Sequence, residues 1–163
     1  MWLSTLMQTP QSLKMEHEEL HAELAALIAE TGDVGAAARE VARLLHAHFV
    51  AEEQLAMPLL GLLPEVATGE IDRSLEPAAA VARRLKFELP RMYAEHRAIV
   101  VALEALAAAG VRAARGDVAD FAGKLRLHAQ TEEEVLYPAA IVVGALIEAK
   151  IRCGEHAPER RAA

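Results

Sequence analysis

A single cysteine, Cys153, has no partner within the chain, so no internal disulfide forms and the thiol suits a reducing compartment. Aromatic residues are scarce, at 4% of the chain against 53% hydrophobic residues overall. The excess is mostly alanine and leucine, which favour close-packed helices, and strand-like runs are nearly absent. Basic charge is also short. Lys and Arg number 17 against 24 Asp and Glu, which gives a net charge of −7 and a pI near 5.5. A surface without a basic face argues against nucleic acid or an anionic membrane as partner. The longest uncharged apolar stretch, near 139–147, is too short to span a bilayer, and the start MWLSTLMQTP lacks the basic region of an export signal. These absences lead us to expect a soluble, unprocessed, cytoplasmic protein. With 163 residues it has length enough for one domain with its own core.

What is present is helical rhythm. Thr9 and Pro10 read as the N-cap and first position of a first helix, with Leu13, Leu20, Leu24 and Leu27 at helical spacing until TGD at 31–33. Asp33 then caps a second helix with the stripe Val41, Leu45, Leu55 and Leu59, ended by Gly61 and Pro64, and residues 62–76 read as a connection. From Pro77 the composition turns helical again. Pro90 either kinks the third helix or divides a short segment from it. Its stripe, Met92, Ile99, Leu103 and Leu106, stops at Gly110 and Gly116. Asp117 caps a fourth helix that runs to about Cys153, bent at Pro138, and the tail GEHAPERRAA reads as frayed.

The second half repeats the first. Leu13, His17, Leu20, Leu24 and Leu27 recur as Met92, His96, Ile99, Leu103 and Leu106, each shifted by 79. Val41, Leu45, His48, Glu52, Leu55 and Pro58 recur as Phe121, Leu125, His128, Glu132, Val135 and Pro138, each shifted by 80. Two copies of a helix pair with short internal links close most simply as an all-α, up-and-down antiparallel four-helix bundle with an approximate internal twofold. We read one domain over 1–163, with halves at about 10–61 and 90–153 and a linker or extra helical segment at 62–89.

In each half a histidine interrupts the apolar stripe of the first helix, and a His-x-x-x-Glu pair interrupts that of the second. Positions i and i+4 share a helix face, so His48 with Glu52, and His128 with Glu132, point the same way. That way is inward, because Leu45 and Leu55, or Leu125 and Val135, flank them on the stripe. Two facing carboxylates are costly to bury without compensating positive charge, and these stripes carry no inward lysine or arginine. A pair of metal ions supplies that charge, with imidazoles ligating each ion and the carboxylates bridging between them. Two six-coordinate ions need about twelve ligands, and four imidazoles, two carboxylates and a bridging oxygen supply about ten, which leaves room for an exogenous ligand. Mixed nitrogen and oxygen ligation with open positions suits iron or manganese better than tetrahedral zinc.

These motifs, EH at 16–17, HFVAE at 48–52, EH at 95–96 and HAQTE at 128–132, resemble the hemerythrin-like (HHE) cation-binding domains over roughly residues 10–150. The resemblance implies an up-and-down bundle holding two iron ions in an oxo- or hydroxo-bridged non-haem centre, with manganese or zinc as possible substitutes. His17, His48, Glu52, His96, His128 and Glu132 take the ligand roles. The centre is expected to bind oxygen or a related diatomic or peroxide ligand for sensing, scavenging or storage. Two departures set the chain apart from the oxygen carriers that gave the family its name. Val100 stands four residues after His96, where those carry another histidine, and the fourth helix has Glu132 where they have an aspartate. His21, four residues after His17, is either an additional ligand or a helix-edge residue.

Plainer readings compete. A lone inward histidine is usually a hydrogen-bonded core residue, but six ligand-type residues at symmetric positions argue for metal. His46, two positions from His48, reads as surface. Glu53 and Glu133 lie about 100° around the helix from the ligands, where they face solvent or hydrogen-bond to a ligand. Glu134 reads as exposed and Cys153 as buried or at a helix end. Tyr137 falls beside the kink, where a phenol can reach towards the site, yet Met57 takes the same place in the first half, so core packing is the preferred reading. Ferritin-like carboxylate proteins need two Glu-x-x-His motifs, and only Glu18 to His21 fits. An enzyme that reduces peroxide or nitric oxide, or oxidises ferrous iron, would use the same ligands with an external reductant. A purely structural bundle would keep its stability when stripped of metal.

Overall fold

The computed structural model describes residues 7–155. Helix α1 (Gln11–Ile28) is followed by α2 (Gly32–Leu55), two short helices, α3 (Met57–Leu60) and α4 (Leu63–Thr68), and a 3-10 turn at Arg73–Leu75. Helix α5 (Glu76–Arg112) is next, and the fourth rod consists of α6 (Gly116–Thr131), a π turn (Glu132–Leu136) and α7 (Tyr137–Glu155). Short links join α1 to α2 and α5 to α6, so each pair runs antiparallel, and α5 packs on α2, α6 and α7 to close a four-helix bundle. No strand occurs among the described residues.

Several boundaries differ from the expected ones. Pro10 rather than Thr9 is the N-cap of α1. Asp33 and Asp117 lie within the first turns of α2 and α6 instead of capping them, where a carboxylate still favours the positive end of the helix dipole. Residues 62–76 are not a bare connection, since α4 and the 3-10 turn occupy most of them. Helix α5 passes through Pro90 unbroken, with Leu85 and Met92 fully buried on either side, so packing outweighs the lost backbone hydrogen bond. Gly110 is inside α5, not at its stop. A Cβ there would come within 2.8 Å of Val118, so the glycine permits close approach to α6. The chain turns instead at Ala114, whose φ of 55° is unusual for a residue with a side chain. At this end Arg115 ties the two links together, 3.0 Å from Glu30 and 2.6 Å from Asp117. The tail from 156 onward lies outside the described residues, and Cys153 is exposed.

The fourth rod is disturbed ahead of Pro138 rather than bent at it. Proline has no N–H to give to the carbonyl four residues back, and the chain accommodates this with the five-residue π turn. In a π turn the residue at i+5 lies over residue i, so Tyr137 comes round to the face of Glu132. Val135, expected inward, is 55% exposed, while Tyr137 is fully buried. In the first half α2 ends at Leu55 and restarts at Met57, which is likewise buried.

The apolar interior falls into two clusters. One, which includes Leu27, Val34, Leu45, Leu106 and Phe121, lies toward the linked helix ends. The other, with Leu55, Leu59, Leu85, Met92 and Tyr137, fills the opposite end. Along the helices the six proposed ligands fall at the changeover between them: His48 and Glu52 lie between Leu45 and Leu55, and His96 between Met92 and Ile99. A polar layer thus separates two apolar cores.

Candidate metal centre

All six residues picked out by the sequence are buried, none more than 6% exposed. Among the described residues they form two groups whose ligand atoms lie within 4.8 Å of one another: His17, Glu52, His128 and Glu132 in one, and His48, Glu52, His96 and Glu132 in the other. Each group takes one imidazole from each half of the repeat, and both share the two carboxylates. His21 belongs to neither. It is exposed, with its ring 4.8 Å from that of Phe49. His46 and Glu134 are exposed as expected.

Three imidazoles are oriented from behind. His48 Nδ1 is 3.0 Å from Glu95, His96 Nδ1 is 2.8 Å from Glu133 and His128 Nδ1 is 3.0 Å from Glu16. A carboxylate on Nδ1 fixes the proton there and leaves Nε2, which faces the centre, as the free donor. Arg91 continues the chain of contacts, hydrogen-bonded to Glu95 and 2.8 Å from Glu88. Sequence reasoning assigned no role to Glu16 or Glu95, although the repeat marked them: they are related by the same shift of 79 as the histidines beside them. By that symmetry Glu53 should hold His17 as Glu133 holds His96. Glu53 is instead exposed and makes no such contact among the described residues.

The buried polar atoms fit a metal. Among the described residues, His17 Nε2, Glu52 Oε2, His128 Nε2 and Glu132 Oε1 have no hydrogen-bond partner, and all four residues belong to the first group. His128 Nε2 and Glu132 Oε1 are only 2.8 Å apart but are not aligned as donor and acceptor. Four buried ligand atoms turned toward one another without partners would be costly in a finished core, and a cation satisfies all of them. The donor set is two imidazoles and two carboxylates for each position, so the cluster fits a metal site.

Without metal, protons carry the compensating charge. Burial opposes charge on His128, but the negative charge of Glu132 close by, with the hydrogen bond and charge of Glu16, outweighs it and raises the imidazole to about 9. Burial likewise opposes charge on His48, yet Glu52 and Glu95 lift it. The two carboxylates diverge. Burial and the charge of Glu132 push Glu52 up, whereas Glu132, despite its burial, is held well below the ordinary carboxylate range by His128, His17 and His96. The contacts explain the difference: three imidazoles lie 2.8, 3.3 and 3.7 Å from Glu132, and one lies 3.6 Å from Glu52.

Tyr137 corrects the expectation of plain packing. Its hydroxyl donates to Glu52 Oε1, lies 3.4 Å from both His48 Nε2 and His96 Nε2, and its ring stacks on His96 at 5.8 Å. Without metal, burial and then the charges of Glu52 and Glu132 raise this phenol well above its ordinary range, so in that state it stays protonated and donates. The repeat, with Met57 in this place, weighs against a role for Tyr137, and the π turn that brings it round to Glu132 was the missing signal. Met57 holds the equivalent place in the first half. On that side a cavity of about 630 Å³ reaches His17 and is lined also by Lys14, Glu18, His21, Glu53 and Met57.

A helical bundle with a buried, twofold-related layer of imidazoles and shared carboxylates defines a class of metal-binding proteins. Within that class the chain belongs to the Hemerythrin HHE cation binding domain family, whose sequence model matches residues 8–140. Neither the curated proteins nor the solved structures contain a match to the chain. Among the described residues, no helix is long and apolar enough to cross a membrane.

Proposed function

We propose that the layer holds two iron ions and that the protein binds oxygen, nitric oxide or peroxide there, for sensing, scavenging or storage. The observation that carries this reading is the pair of four-atom ligand groups sharing both Glu52 and Glu132, an arrangement suited to two bridged ions rather than one. Nitrogen and oxygen donors in this mixture favour iron, with manganese as the nearest substitute. Once bound and reduced, such an iron pair supplies electrons to a small oxidant.

The chain's own residues divide the remaining work. Glu95, Glu133 and Glu16 hold three imidazoles with Nε2 inward. Phe49, its ring 4.7 Å from that of His17, keeps apolar surface against one flank of the centre. The cavity beside His17 is roomy for a diatomic molecule or peroxide. The Glu18 and Glu53 carboxylates at its wall outnumber Lys14, which lies 3.8 Å from Glu18, so a neutral molecule suits it better than an anion. The net charge of −7 argues against nucleic acid as a partner.

The reading is tested by iron content and absorption of protein from iron-replete cells, beside a His48→Ala, His128→Ala double variant. We expect about two irons per wild-type chain, with near-ultraviolet oxo-bridge bands that the variant loses. Wild-type protein without iron, matching the variant in stability, would reduce the six residues to a polar core. Steady consumption of peroxide, nitric oxide or ferrous iron with an external reductant would make the protein an enzyme rather than a reversible binder.

A further inference from the structure

The sequence repeat makes the two ligand groups equivalent, and the structure does not. Around His17 and His128 the four ligand atoms face only one another, and the cavity lies alongside. Around His48 and His96 a fifth polar atom is present. Tyr137 Oη is 3.4 Å from each imidazole Nε2 and hydrogen-bonded to Glu52 Oε1. Ligand atoms held roughly 2 Å from one ion sit roughly 3 Å apart along the edges of its coordination polyhedron. The phenol oxygen therefore stands close to such an edge from both nitrogens and is hydrogen-bonded to the carboxylate oxygen. Among the described residues, no other non-ligand side chain is placed this way in the contacts of the six. The equivalent residue on the other side, Met57, offers a soft thioether, a poor donor to the metals that carboxylates and imidazoles select.

We propose that Tyr137 is a seventh protein ligand, binding through Oη the ion held by His48 and His96, so that exogenous ligands exchange at the ion held by His17 and His128. This rests on the two-iron reading. Ligation forms one metal–oxygen bond and breaks the phenol O–H bond. The proton passes to solvent and no electron moves. The enclosed ion is then tied by two imidazoles, two carboxylates and a phenolate, and the ion on the cavity side keeps the exchangeable position.

The chain has two tyrosines, which makes the proposal decidable by spectroscopy. Tyr93 is the control: its ring is 6.3 Å from that of Tyr137 and it is only partly buried. Full-length wild type, Tyr137→Phe and Tyr93→Phe would be loaded with iron, oxidised, and compared by iron content, helicity and absorption. Wild type and Tyr93→Phe should share a visible phenolate-to-iron charge-transfer band. Tyr137→Phe should lack it while keeping its iron, helicity and near-ultraviolet bands, and should release about one proton fewer per chain on loading. Wild-type protein with a full iron complement and no phenolate band overturns the assignment, as does a band that survives in Tyr137→Phe. Should Tyr137→Phe lose its helicity, resonance Raman on wild type and Tyr93→Phe decides, since tyrosine ring modes are enhanced through the visible band only if Tyr137 is bound. Iron content separates the two failures: wild-type protein that takes up no iron overturns the two-iron reading and this assignment with it.

Discussion

His48, His96 and His128 each use one ring nitrogen on a glutamate and turn the other inward, so the carboxylates behind the centre matter nearly as much as those within it. Replacing Glu95 with alanine should weaken metal binding about 10- to 100-fold with the helices intact, measured by competition with a chelator. The titrations give a second expectation. His128 is raised from 6.5 to about 9 in the folded protein, so its contribution to metal-free stability is complete below pH 6.5 and lost as the pH rises through about 9. Glu52, also raised, adds to the decline as the pH rises above 4.5, while the lowered Glu132 opposes it only in acid. Denaturant titration of the stripped protein should show stability falling between pH 6.5 and 9, and metal affinity should rise over the same range because loading displaces the His128 proton. At this scale the six proposed ligands were legible because charged and titratable residues stood on apolar stripes. Tyr137 was legible only as an alternative, because its counterpart in the first half is Met57 and a phenol beside a kink packs as readily as it reaches a site.

The helices show where local sequence is a good guide and where packing overrules it. The four long rods, their order and, Val135 apart, their inner faces followed from apolar spacing, but Pro90, read as a kink or divide, lies inside the 37-residue α5. The burial of that helix on three neighbours decided its length, and single-sequence punctuation carries no record of such neighbours. The π turn is the same lesson in reverse: one proline changed the register so that Val135 turned outward and Tyr137 inward. Helix α7 crosses α5 at Gly144, where a Cβ would stand 2.0 Å from that of Ala82. Gly144→Ala should therefore destabilise the protein by about 1–3 kcal/mol, and Ala82→Gly in the same chain should recover much of the loss. A double-mutant cycle by chemical denaturation measures both, and additive effects would mean that the helices part freely at this crossing.

Across the whole molecule, the twofold in the sequence survives in the ligand layer and is broken around it. Tyr137 against Met57 and Phe49 against Ala129 differ in residue, Glu133 and Glu53 differ only in contact, and each difference lies beside the centre. The repeat made the bundle and the shared carboxylates legible, whereas the closed and open sides depend on positions where the copies no longer agree. Metal should stabilise the chain by mass action, by about 2.7 kcal/mol at a hundredfold excess over Kd, with a matching rise in Tm. The separation of the interior into two apolar clusters with the polar layer between them carries this further. Such a chain contains two cooperative units whose coupling is set by what fills the seam. Loaded, they should open together, so amides at both ends share one exchange free energy. Stripped and held at pH 9, where His128 is losing its proton, they should exchange with two, and the metal would be the clasp that makes one folding unit out of a pair.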